Sequence, residues 1–223
     1  MTDMTAVVFD MDGTLTDTEH IWDVVRRQLA ASEGLSWPEE ATTAMMGMST
    51  QQWSTYLSEV VGLSGTPQEA AERTIDGMQV AYRSGIELLP GAREAVRRMA
   101  GHWPLGLASS SPRVLIDAAL EFMGVSDLFV ATLSTEELGG AGKPAPDVYL
   151  EVCRRLGVDA GRALAVEDAP NGILAAHAAG MAVVAIPPHF HPPSPDILAL
   201  ADVVIDSLDD LTVDLVADLL GRR

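Results

Sequence analysis

Cysteine is almost missing from this sequence: Cys153 stands alone among 223 residues. A single thiol excludes an intramolecular disulfide framework and any zinc site built from several cysteines. Positive charge is scarce as well, with 14 Lys+Arg against 32 Asp+Glu and a net charge of −18. Such a chain repels phosphate backbones and anionic lipid surfaces, so nucleic acid and membrane are not expected as partners. A phosphorylated small molecule remains admissible if a local basic site, helped by a divalent cation, can hold it. No basic n-region precedes or follows Asp3, so no signal peptide is read there. Long apolar runs are missing too: the run 178–186 contains Gly180 and stops at Pro187, far short of a membrane span. The expectation is a soluble, acidic, cytoplasmic protein, taken as a monomer.

Hydrophobic residues make up 48% of the chain and charged ones 21%, the balance of a globular protein with a genuine core. Short continuous apolar runs at 6–9, 105–108, 128–130, 163–166, 182–186 and 203–205 suit strands buried on both faces of a parallel sheet. Helical patterns lie between them, with proline near the first turn and glycine past the last. Pro90-Gly91 and Gly101 bound one, Pro112 and Gly124 a second, Pro146 and Gly157 a third, Pro170 and Gly180 a fourth. This alternation predicts an α/β fold with a doubly wound parallel sheet. The stretch 17–86 carries no strand pattern, only helical candidates at 21–31, 51–61 and 68–83. About seventy residues are too many for a connection. We therefore expect residues 1–16 and 87–223 to form the core and 17–86 an inserted helical domain. Two histidines in the proline-rich stretch 187–193 could take a metal adventitiously, but a stiff surface loop is the better reading.

Four constellations carry chemistry. Asp10-Met11-Asp12-Gly13-Thr14 follows the first strand, at the end of a parallel sheet where ligands bind. Asp10 can serve as nucleophile or metal ligand, and Asp12 as general acid/base. The same residues could simply form an Asx turn. Glu167-Asp168 ends another strand and offers hard oxygen ligands suited to Mg²⁺, although Asp168 could equally cap the helix opened by Pro170. Four acids at two strand ends repel one another unless a cation intervenes. Ser109 and Ser110 follow a third strand, where hydroxyl and amide groups could hold a phosphoryl oxygen or cap a helix. Lys143, in Gly142-Lys143-Pro144, can neutralise both nucleophile and phosphate, or be a solvated surface lysine. It is not part of a nucleotide P-loop, because Glu137 stands where that motif starts and Pro144 replaces its Ser/Thr.

In this order, the Asp10–Thr14 motif, Ser109, Lys143 and Glu167-Asp168 closely resemble the four motifs of the haloacid dehalogenase-like superfamily of aspartate-nucleophile phosphotransferases. The resemblance runs from Val7 to about Leu208. It implies a Rossmann-like core with an inserted α-helical cap. Leu89-Pro90-Gly91 and Asp168-Ala169-Pro170-Asn171-Gly172 are similar to the branch holding sugar phosphatases, phosphoglycolate phosphatases and β-phosphoglucomutase. The resemblance further implies that Asp10 attacks phosphorus, that Asp12 moves the protons, and that Ser109, Ser110 and Lys143 hold the phosphate. It places Mg²⁺ on Asp10, the Asp12 carbonyl and Asp168, with Glu167 direct or through water.

Within that family, an acid at Asp12 distinguishes the chain from true dehalogenases. The lack of any lysine in 17–86 distinguishes it from phosphonate hydrolases. β-Phosphoglucomutase places a histidine where Trp22 stands and a cap arginine where Thr50 stands, so losing that anion clamp weakens the mutase reading. The segment Asp17-Thr18-Glu19-His20-Ile21-Trp22 instead resembles hexose-phosphate phosphatases. The expected activity is therefore Mg²⁺-dependent hydrolysis of a small phosphorylated metabolite, a sugar phosphate. Mutase, phosphoglycolate phosphatase and a non-catalytic binding relative are the alternatives. Glu19, Trp22, Gly47 and Met48 are the cap residues expected to meet the substrate, Trp22 and the methionines being equally suited to cap core.

Overall fold

The computed structural model describes residues 4–45, 48–139, 142–189 and 192–222. The chain opens with strand β1 (Ala6–Phe9) and continues into α1 (Glu19–Ser32), α2 (Ala41–Met45), α3 (Thr50–Tyr56) and α4 (Pro67–Ser84). From there α5 (Ala92–Ala100), β2 (Leu105–Ser109), α6 (Arg113–Met123), β3 (Phe129–Ser134) and α7 (Asp147–Leu156) alternate. They are followed by β4 (Ala163–Glu167), α8 (Pro170–Ala178), β5 (Ala182–Ala185), α9 (Pro195–Leu198), β6 (Val203–Val204) and α10 (Val213–Gly221). All strand pairs are parallel, in the order β3-β2-β1-β4-β5-β6.

The central strand β1 is buried on both faces, as its unbroken apolar run demands. Val7 and Phe9 face the layer of α5, α6 and α10, while Ala6 and Val8 face α7 and α8. This is a Rossmann-like sheet covered on two sides, with a helical cap inserted after β1. The chain leaves β1, builds outward through β2 and β3, and then returns to β4 on the other flank. That reversal puts a crevice at the carboxyl ends of β1 and β4.

Both passages between cap and sheet run side by side. Thr16 and Leu88 form an antiparallel bridge, and Asp17 N–H donates to the Glu87 carbonyl at 3.0 Å. Leu89 N–H donates to the Leu15 carbonyl at 3.1 Å. In the cap, α3 and α4 begin with reciprocal capping boxes, Ser49 with Gln52 and Thr66 with Glu69. Trp22, Trp53 and Met78 pack into a hydrophobic cluster continuous with that of the α5/α6 layer.

Several local expectations change. The helix expected over 51–61 is α-helical only to Tyr56, and Leu57–Val61 widens into a π-helical turn in which Gly62 and Leu63 both donate to the Leu57 carbonyl. Helix α2 was not foreseen, since five residues are too short to show a period. The third strand starts at Phe129 because Ser126–Leu128 form a 3₁₀ turn, and the last strand is only Val203–Val204. Among the described residues, no helix is long and apolar enough to cross a membrane.

Candidate active site

Asp10 stands just beyond β1, and its N–H donates to the Val166 carbonyl at 3.0 Å. The β1–β4 ladder therefore ends with Asp10 beside Glu167 and Asp168. One carboxylate oxygen from each of Asp10, Glu167 and Asp168 lies within 4.8 Å of the others, and all three residues are buried. Lys143 reaches this group from the connection after β3. Its Nζ donates to Asp10 Oδ1 and Glu167 Oε1, both at 2.6 Å, and to the Ala108 carbonyl at 3.0 Å. Tyr149 OH lies beneath, donating to Glu167 Oε1 at 2.6 Å. Lys143 is the only lysine in the chain, and it is not solvated but buried.

Asp168 does not cap α8: the N-cap is Ala169, with no side-chain bond, while Asp168 Oδ1 accepts from Thr14 Oγ1 at 3.0 Å. Likewise Ser109 does not cap α6, whose N-cap is Pro112; Ser109 Oγ accepts from Ser111 N–H at 3.0 Å. Ser110 lines the cavity beside it. Asp12 has both oxygens fixed, Oδ1 accepting from Thr18 and Oδ2 from Ser111, each at 2.7 Å. Gly13 permits the turn between the two aspartates: its φ is +85°, and a Cβ there would overlap the Asp168 carboxylate.

Burial holds the Asp10 carboxyl well above the ordinary range, because the Glu167 and Asp12 charges add to desolvation and Lys143 only partly offsets them. Asp168 is raised for the same reason, by burial and then by Asp10 and Glu167. Burial would lower Lys143, but Asp10 and Glu167 outweigh it and push the ammonium above its usual range. Three crowded acids against one lysine form a site with surplus negative charge and hard oxygen donors. Among the described residues, Asp10 Oδ2 and Asp168 Oδ2 accept no hydrogen bond. The donor set thus fits a divalent cation.

A cavity of about 780 Å³ opens above this cluster and is roofed by the cap. Glu19, Trp22 and Met48 line it. Gly47 lies outside the described residues. Sequence reasoning missed Arg26, which also lines the cavity, and the Asp12 partners Thr18 and Ser111. A signal for Arg26 existed: it follows Glu19 and Trp22 at helical spacings of seven and four, on one face of α1.

This cluster, at the switch point of a parallel sheet under a helical roof, coincides with a match of residues 4–180 to the family model described as haloacid dehalogenase-like hydrolase. The chain belongs to that family. It is 36% identical over 222 residues to hexitol phosphatase B of Escherichia coli (strain K12), covering 97% of this chain and 96% of that protein. The crystal structure of a putative β-phosphoglucomutase from Thermotoga maritima is 26% identical, with TM-score 0.74 over 95% of this chain and 98% of that one. CbbY from Rhodobacter sphaeroides, solved in complex with phosphate, is 23% identical, with TM-score 0.83 over 93% and 96% of the two chains. The haloacid dehalogenase-like fold with a helical cap and a buried aspartate cluster supports phosphatase activity.

Proposed function

We propose that the chain is a Mg²⁺-dependent phosphomonoesterase that hydrolyses a small sugar or sugar-alcohol phosphate through an aspartyl-phosphate intermediate. The observation that carries this reading is the Asp10–Lys143–Glu167–Asp168 cluster at the floor of a capped cavity. The likeness to hexitol phosphatase B over almost the whole chain supports the substrate class. Mg²⁺ held by Asp10, Glu167, Asp168 and the Asp12 carbonyl would neutralise the phosphate dianion.

The remaining chemistry belongs to the chain's own residues. An Asp10 carboxylate oxygen forms a bond to phosphorus as the ester P–O bond breaks. Asp12, aimed by Thr18 and Ser111, gives its proton to the departing alkoxide. It then takes a proton from the water that attacks the aspartyl phosphate, releasing inorganic phosphate and restoring Asp10. Ser109 and Ser110 hold the phosphoryl oxygens, and the Lys143 ammonium beside Asp10 neutralises their charge. Lys143 keeps its charge throughout, since two carboxylates hold it protonated. Catalysis of this kind is positioning and charge neutralisation, which a buried, preorganised site supplies. In this proposal residues 17–86 move as the cap and the paired passages at Thr16 and Leu88 act as its hinge.

A panel of hexitol phosphates, hexose phosphates, phosphoglycolate and nucleoside monophosphates, assayed for phosphate release with Mg²⁺, tests the reading. Preferred release from sugar or hexitol phosphates supports it. Conversion of β-glucose 1-phosphate without phosphate release would establish a mutase instead. No turnover of any ester would leave a binding protein.

A further inference from the structure

Arg26 is buried in the cap, with 6% of its surface exposed, and yet it lines the cavity above the aspartates. Its Cζ lies 4.8 Å from the ring centroid of Trp22 and 5.0 Å from that of Trp53. The two indoles are 5.7 Å apart and tilted by 56°, so the guanidinium rests over both neighbouring rings at once. Such a cation–π contact is attraction to the ring faces and uses no hydrogen bond. It leaves the N–H donors, which radiate in the guanidinium plane, without an acceptor. Arg26 Nε has no hydrogen-bond partner, and no carboxylate lies within ion-pair distance of the group among the described residues. The neighbouring Arg27, by contrast, pairs with Asp23 at 2.6 Å.

A buried cation with unused donors beside an open cavity is a recognition group for something that enters the cavity. Burial lowers its pKa only to about 10, so it is charged at neutral pH. Its surroundings narrow the ligand. Glu19 lines the same cavity from the same face of α1, and Asp12 and Asp17 line it too. A second phosphate at this depth would meet those acids. Hydroxyl groups meet no such penalty: their oxygens accept from Arg26, their hydrogens donate to Glu19, and their C–H faces pack on Trp22. Burial, with Asp12 adding to it and Arg26 opposing, sets Glu19 at about 7, so this carboxyl can accept or donate.

We propose that Arg26, held against Trp22 and Trp53 and facing the cavity with Glu19, binds the hydroxyl groups of the leaving alcohol and selects polyhydroxylated phosphate esters. The inference rests on the phosphatase reading and adds to it the residue that reads the substrate.

The test compares wild type with Arg26→Met, which keeps an unbranched stem against the indoles but has no donors, and with Arg26→Lys, which keeps the charge without the fork. With Mg²⁺, kcat/KM for sorbitol 6-phosphate is expected to fall by about tenfold to a hundredfold in Arg26→Met, mainly through KM. The loss on para-nitrophenyl phosphate, which offers no hydroxyls, is expected to be about tenfold smaller. Arg26→Lys should recover only part of the sorbitol 6-phosphate activity. Equal losses on both esters would make Arg26 structural and overturn the proposal. A loss confined to fructose 1,6-bisphosphate would overturn it in favour of a second-anion clamp. Calorimetric binding of sorbitol 6-phosphate to Asp10→Asn, with and without Arg26→Met, reads the same site without turnover. Weaker binding in the double variant supports the proposal even if the wild type proves inactive, and unchanged binding overturns it.

Discussion

Replacing Lys143 by Met removes the only cation that pairs with the buried acids among the described residues, and nothing else of comparable size. Nζ has three protons, and the three shortest contacts, to Asp10, Glu167 and the Ala108 carbonyl, account for them. Without it, two carboxylates that each had a 2.6 Å partner face one another in a buried pocket. Removing one member of a buried ion pair costs about 3–5 kcal/mol. The carboxyls can escape part of that cost by taking up protons. Holding one buried acid protonated costs roughly 5 kcal/mol at about pH 7.5 but only about 1.5 kcal/mol at about pH 5. In the wild type, Lys143 has a raised pKa, so the stability it contributes is present below the ordinary lysine range and is lost only far above neutrality. The pH dependence of the difference therefore comes from the variant's carboxyls, and the loss grows as pH rises. At about 2–4 °C per kcal/mol for a chain of this size, Lys143→Met should melt roughly 6–20 °C below wild type at about pH 7.5, and the gap should narrow at about pH 5. Thermal unfolding followed by circular dichroism in chelator, so that no metal replaces the lost charge, measures both gaps. A gap under about 2 °C at neutral pH, or one that widens on acidification, would refute the reasoning.

Asp10→Asn should lower turnover at least about ten-thousandfold while the far-ultraviolet dichroism stays that of the wild type; normal phosphate release would remove the covalent step. Mg²⁺ should raise the melting temperature, by an amount corresponding to about 2.7 kcal/mol at a hundredfold excess over Kd. That gain should increase from about pH 5.5 to about pH 8, because burial raises Asp10 and Asp168 and protons compete with the metal for them. Without metal the same two carboxyls favour the folded state at low pH and lose that contribution as pH rises, so a Mg²⁺ effect that shrinks with pH would contradict the assignment. Gly172→Ala introduces a Cβ that would overlap the Glu167 carboxylate. It should cost about 1–3 kcal/mol and weaken Mg²⁺ binding, measured by titration calorimetry; unchanged binding would mean that Glu167 is not a ligand.

The composition and motif order alone determined a good deal. Strands buried on both faces are apolar along their length, so the runs 6–9 and 163–166 were visible without partners. Proline and glycine act on their own backbone, so helix ends such as Ala92–Ala100 were legible to the residue. Asp10 and Glu167-Asp168 stood out because each follows a strand, and Lys143 because it precedes the stiff Pro144-Ala145-Pro146. Their use as a buried network, rather than as caps and a surface lysine, was decided by the tertiary structure: Lys143 and Asp10 are 133 residues apart, and no local signal records a 2.6 Å contact. The same holds for Ser111 on Asp12, 99 residues away. Arg26 shows the division most clearly. Its spacing from Trp22 and Glu19 put it on one helix face, but its lack of a close ion pair among the described residues and its second indole, Trp53, come from how α1 and α3 pack. Periodicity tells which side of a helix a residue occupies, whereas only packing decides whether its charge finds a partner or is left facing a cavity.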